Sequence, residues 1–123
     1  MTDEPSPVED KLVALRASYA TRLVQNLQDM DAAARKLAAD TSLEETRSVL
    51  AFLNGLAHRI TGSGATFGFP GISKRAYELE RLVETLSSAE ATLLPDQRGQ
   101  LCLLMDRLVN EAGSAVGDSL TTK

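Results

Sequence analysis

The 123-residue chain has no tryptophan, one cysteine and one histidine. A single cysteine closes no internal disulfide, and one histidine beside it supplies no zinc quartet. Cys102 lies in the apolar run "LCLLM", where a small thiol is expected to pack as a buried structural side chain. Aromatic residues make up 4% of the chain, so the core must be mainly aliphatic. Lysine and arginine total 13 against 17 aspartates and glutamates, a net charge of −4. No basic patch is visible, which argues against a nucleic-acid partner, because such binders neutralise phosphates with clustered cations. No apolar run approaches the roughly 18 residues of a membrane span. The first residues, "MTDEPSPVED", are acidic and proline-bearing, unlike a signal or transit peptide. The expectation is a soluble, cytoplasmic, monomeric protein with neither a membrane nor a nucleic-acid partner.

What is present is a chain of one-domain length with 43% hydrophobic and 24% charged residues, enough for a packed core. Prolines occur only at positions 5, 7, 70 and 95, leaving long uninterrupted stretches. In the first, Leu12, Leu15, Tyr19, Leu23, Leu27, Met30, Ala34 and Leu37 recur every three or four residues, as one helix face requires. Asp40, Thr41 and Ser42 end it. Such a helix would be about 45 Å long, so its first turns are expected to overhang the core or to form a separate short piece. A second helix opens after Thr41 or Ser42, with Glu44 and Glu45 in its first turn. It carries Val49, Leu50, Leu53, Leu56, Ala57 and Ile60 on one face, with Phe67 as a further candidate. "GFPGISKR" breaks it, Pro70 disfavouring helical geometry at Phe69 and Gly71 expected to act as a flexible joint. The third helix places Ile72, Ala76, Leu79, Leu82, Val83 and Leu86 together. A fourth starts near Pro95 and aligns Leu101, Leu104, Met105, Leu108, Ala112 and Val116. Nothing alternates with period two. The fold class is all-α, an antiparallel four-helix bundle over residues 8–117. Residues 1–7 are expected to be a disordered tail and 118–123 a C-terminal tail.

His58 falls about 130–140° from the centre of the second helix's apolar line, on its solvent side. Around it on that outer face are Ala51, Asn54, Gly55, Thr61, Gly62 and Ala65, all small. An ordinary exposed face would carry Lys, Glu, Arg or Gln, which form helices well. Glycine costs a helix interior about 0.8–1 kcal/mol relative to alanine. Gly55 and Gly62 together therefore forfeit about 2 kcal/mol of a typical 5–15 kcal/mol. That loss has a rationale if a partner must approach the imidazole closely. The face reads as a landing site with a nucleophile at its centre.

Two other chemistries fit poorly. "GSGATFGFPG" has no lysine for a phosphate-binding loop, and Gly62, Gly64 and Gly68 have the wrong last interval for a dinucleotide fingerprint and follow a helix instead of a strand. A Cys–His hydrolase is disfavoured because Cys102 lies on a presumed core face with no oxyanion hole suggested.

"AHRITGSGATFG" resembles the signature of the histidine phosphotransfer (Hpt) domain, which reads roughly Ala-His-x-Leu-Lys-Gly-Ser-x-x-x-x-Gly. Ala57, His58, Ile60, Gly62, Ser63 and Gly68 fall in register, and "YELERLVE" resembles the Glu-Leu-Glu segment of that family's next helix. The likeness spans about residues 12–116, and the family's fold is a four-helix bundle.

The resemblance implies a phosphorelay intermediate in which His58 exchanges a phosphoryl group with an aspartyl phosphate on response-regulator receiver domains. Its partners would be those receivers and a histidine kinase or hybrid kinase, since the chain has no kinase ATP-binding segment. No cofactor is expected on this chain; Mg²⁺ would sit on the receiver. The family often has Gln or Glu 22 residues after the histidine, bonding its non-reacting nitrogen, and here that position is Glu80. On the third helix's wheel Glu80 lies about 80–90° from the apolar centre, at an edge from which it can reach a neighbouring helix. The alternative is a solvated glutamate paired with a cation such as Arg81. Asn54, Gly55, Thr61, Gly62 and Ala65 would form the docking face. Where the family usually has Lys, three residues after the histidine, this chain has Thr61. Arg59, Lys74 and Arg75 are the cations that would have to compensate. Thr61 also supports a second reading, a degenerate module that docks a receiver or kinase without carrying phosphate.

Overall fold

The structure is a computed structural model that describes residues 7–121 except 39 and 89–91, with side chains described as far as 116. It contains four helices, α1 (Pro7–Arg35), α2 (Leu43–Gly64), α3 (Pro70–Ser87) and α4 (Pro95–Thr121). Each helix packs on two neighbours, α1 on α2 and α4, and α3 on the same two. Short connections reverse the direction each time, which makes the antiparallel bundle expected from the periodicity. The described residues contain no strand.

The four apolar seams meet in one core that includes Leu23, Leu27 and Met30 of α1, Leu53 and Ile60 of α2, Ile72, Leu79 and Val83 of α3, and Leu101, Met105 and Leu108 of α4. Three of the five aromatics gather at one end, where Tyr19 stacks on Phe67 with ring centroids 4.5 Å apart and on Phe69 at 6.0 Å. The first turns of α1 do overhang. Residues 7–18 are all exposed, and Leu12 and Leu15 of the predicted seam are 59% and 53% exposed.

Several sequence expectations need correction. The first helix ends at Arg35, short of Asp40, through two 3.3 Å bonds from Lys36 N–H to Ala33 O and from Leu37 N–H to Ala34 O. Leu37 still packs against the core from outside the helix. Gly71 is not a joint, because it lies in the first turn of α3 behind Pro70. A β-carbon there would stand 2.8 Å from the Glu111 carboxylate, so the glycine leaves room for the Glu111 side chain of α4. The residue that turns the chain is Gly68, at φ +88°. Phe69 N–H reaches Gly64 O at 2.7 Å and Gly68 N–H reaches Ala65 O at 3.1 Å, a Schellman-type closure after α2. Cys102, Leu82, Leu104 and Val49 are half-buried, not fully enclosed. Residues 1–6 of the expected N-terminal tail lie outside the described residues, and α1 already begins at Pro7. The expected C-terminal tail overlaps α4, which runs to Thr121.

Candidate functional site

Ser42 fixes the start of α2, its side chain accepting a 3.1 Å bond from Glu45 N–H, as an N-cap does. From there His58 falls in mid-helix on the outer face, with its side chain 76% exposed. Its seam neighbours Ala57 and Ile60 are buried, so the helix cannot rotate the ring inward without exposing them.

Glu80 comes from α3, whose antiparallel course brings it level with His58. Glu80 Oε2 lies 2.6 Å from His58 Nδ1, and the carboxylate side chain is only 10% exposed. An ionised carboxylate only accepts hydrogen bonds, so in a neutral imidazole this contact would place the proton on Nδ1 and the lone pair on Nε2. The buried partner is pinned by packing while the exposed ring presents its free nitrogen outward. No cation is bonded to Glu80 among the described residues.

The small face around the ring is open. A β-carbon at Gly55 or Gly62 would meet nothing within 4 Å. Thus no contact among the described residues requires glycine at either position, and neither has a positive φ. Gly64, two residues on, is different, since a β-carbon there would lie 3.1 Å from Ser73 N and 3.3 Å from Phe69 O. Ala65 and Gly62 are exposed, while Asn54 and Gly55 are half-buried. Asn54 Oδ1 is buried without a hydrogen-bond partner among the described residues.

Thr61 sits one turn beyond His58, but its hydroxyl donates to Ala57 O at 2.8 Å. Its single proton is therefore directed into the helix and not toward a group on Nε2. The three candidate cations are scattered. Arg75 donates to Glu78 Oε1 at 3.0 Å and lies about 140° round α3 from Glu80. Lys74 is exposed, about 120° round from Glu80. Arg59 is about 100° round α2 from His58, toward α1, where it lines a cleft with Arg22, Asn26 and Ser63.

Sequence reasoning missed Ser73, whose hydroxyl donates to Thr61 O at 2.5 Å and ties α3 to α2 beside the site. Only its position three residues after Pro70 could have pointed to it. It also missed the link from Tyr19 to Ser63, 2.8 Å between the hydroxyls. Ser63 donates onward to Arg59 O at 2.7 Å, so the Tyr19 hydroxyl is the donor to Ser63. Among the described residues no three His, Cys, Asp or Glu side chains cluster as metal ligands, and no helix is long and apolar enough to cross a membrane.

Comparison with curated proteins and with solved structures yields no match. The family model described as "Hpt domain" does match, over residues 14–111, a span that holds all of the site and most of the bundle. The chain therefore belongs to the Hpt domain family, with a phosphotransfer-related role in the two-component systems whose receiver domains and kinases such domains typically meet.

Proposed function

We propose that the protein is a phosphorelay carrier that accepts and donates a phosphoryl group on His58. The observation that carries this reading is the 2.6 Å contact between Nδ1 of an exposed imidazole and a buried carboxylate, set in a face stripped of large side chains. Neutral imidazole is a competent nucleophile near neutral pH. The Nε2 lone pair attacks phosphorus in line with the acyl oxygen of a receiver's aspartyl phosphate. The N–P bond forms, the P–O bond breaks, and its electron pair returns to the receiver's carboxylate. The ring gains positive charge, which Glu80 faces directly. In the return step a receiver carboxylate displaces the phosphoryl group and the electron pair goes back to Nε2. Magnesium, where the step uses it, belongs to the receiver's acidic pocket. The cytoplasm is the compartment this reading implies, and the working unit spans residues 8–117.

The commitment of the Thr61 hydroxyl to Ala57 favours a second reading, a module that docks a receiver or kinase without carrying phosphate. One experiment separates them. Phosphoramidate, a small donor that needs no docking, is incubated with the protein and with His58→Gln, and base-stable, acid-labile label is counted. The carrier reading expects label on the unsubstituted protein and none on the folded variant. An unlabelled native protein, or label that survives His58→Gln, refutes it.

A further inference from the structure

Arg22 of α1 and Arg59 of α2 converge on a cleft of about 330 Å³ beside the His58 face. Its floor is apolar, formed by Leu23, Ile60 and the ring of Phe67. Both arginines are exposed and neither has an ion-pair partner among the described residues. No Asp or Glu lines the cleft. The helices themselves explain why. One turn from Arg22 lie Ser18, Tyr19, Gln25 and Asn26, and one turn from Arg59 lie Gly55, Leu56, Gly62 and Ser63, so neither finds a carboxylate at helical spacing. Arg35 and Arg75 do find one, in Asp31 and Glu78. Two guanidiniums without an ion-pair partner among the described residues thus line one groove, in a chain whose net charge is −4.

We infer that this cleft is the charge-recognition edge of the docking face, taking a carboxylate side chain of the receiver domain that sits over His58. The inference rests on the docking reading above and adds which side of His58 selects the partner. An apolar floor under two forked cations suits an acidic side chain, whose methylenes cover the floor while its oxygens meet the guanidiniums. The exposed charges of α3 mix both signs, Glu84 with Arg81 and Lys74, and give no such one-signed field. Charge on one side of the ring orients an incoming receiver and speeds encounter more than it raises final affinity.

The test uses the full chain and the receiver domain that the unsubstituted protein binds most tightly. Affinity of the unphosphorylated protein is measured at low and at physiological salt for three forms: native, Arg22→Glu with Arg59→Glu, and Arg22→Lys with Arg59→Lys. The charge reversal should weaken binding about tenfold or more at low salt and flatten its salt dependence, while the lysine pair keeps the salt dependence. Phosphoramidate labelling of His58 should be equal in all three. Unchanged affinity and salt dependence in the reversed variant overturn the inference, as does a native protein that binds none of the receivers. Loss of labelling in the native protein would instead strike the carrier reading and leave the cleft's result standing.

Discussion

Replacing Gly62 with glutamine should make the protein more stable and less active, and both signs follow from the structure. Gly62 is helical, exposed, and has nothing within 4 Å of where a β-carbon would stand. The substitution therefore meets no clash in the isolated protein and removes glycine's helix penalty, a gain of about 0.5–1 kcal/mol. For a chain of this size that raises the melting temperature by roughly 2–6 °C. The new side chain stands one turn from His58, inside the footprint of any partner approaching Nε2. Phosphoryl transfer needs near-contact, in-line geometry, and a misplacement of about 1 Å can cost about a hundredfold in rate. Transfer from a receiver should slow at least about tenfold, while labelling by phosphoramidate is unaffected. Gly113→Gln is the control, since Gly113 is equally open but borders the α1–α4 groove with Val24 and Val109. It should gain similar stability with no change in transfer. Gly64→Ala should do the reverse and lose about 1–3 kcal/mol by overpacking, because backbone of α3 is 3.1 Å away. A Gly62→Gln protein that melts lower, or that transfers as fast as the native one, refutes the reasoning.

Glu80→Ala should slow transfer about three- to tenfold, the worth of one hydrogen bond to an exposed ring, and should mix the imidazole tautomers in ¹⁵N NMR spectra. Glu80→Gln, which keeps an acceptor at Nδ1, should retain the Nδ1–H tautomer; unaltered tautomers in the alanine variant would remove Glu80 from its orienting role. Thr61→Lys should change the transfer rate by less than about tenfold, the receiver supplying the charge already. A native protein inert until lysine is introduced would instead promote the docking-module reading.

The helical seams were legible because burial repeats with the helix period, and Ser42, Pro70 and Pro95 each mark a start. The end of α1 was not. Leu37 keeps the apolar spacing past Arg35, and no glycine or proline punctuates the stop, so only the two closing bonds after Ala33 and Ala34 reveal it. Among the glycines of "GSGATFGFPG", spacing cannot say which one adopts positive φ and which admits a neighbour. Gly68 does the first, while Gly64 and Gly71 do the second against Ser73 and Glu111. The outward aim of His58 followed from the wheel, and its distance from Glu80 did not, since a wheel places side chains on faces but never in contact. Arg22 was silent for a related reason. Its significance depends on Arg59, 37 positions away on another helix, and on what neither residue has beside it.

On the carrier reading the dyad has a consequence for direction. The proton on Nδ1 is held by Glu80 before attack, while the phosphoryl group is bound, and after it leaves. No proton need be taken up or released by this chain in either step, so the same geometry serves acceptance and donation. Among the described residues no cation is bonded to the His58 ring, Thr61 turns its proton inward to Ala57 and Arg75 is bonded to Glu78. On that reading the charge that sets the balance between phosphohistidine and aspartyl phosphate would have to come from the receiver, and the same dyad would serve transfer in both directions.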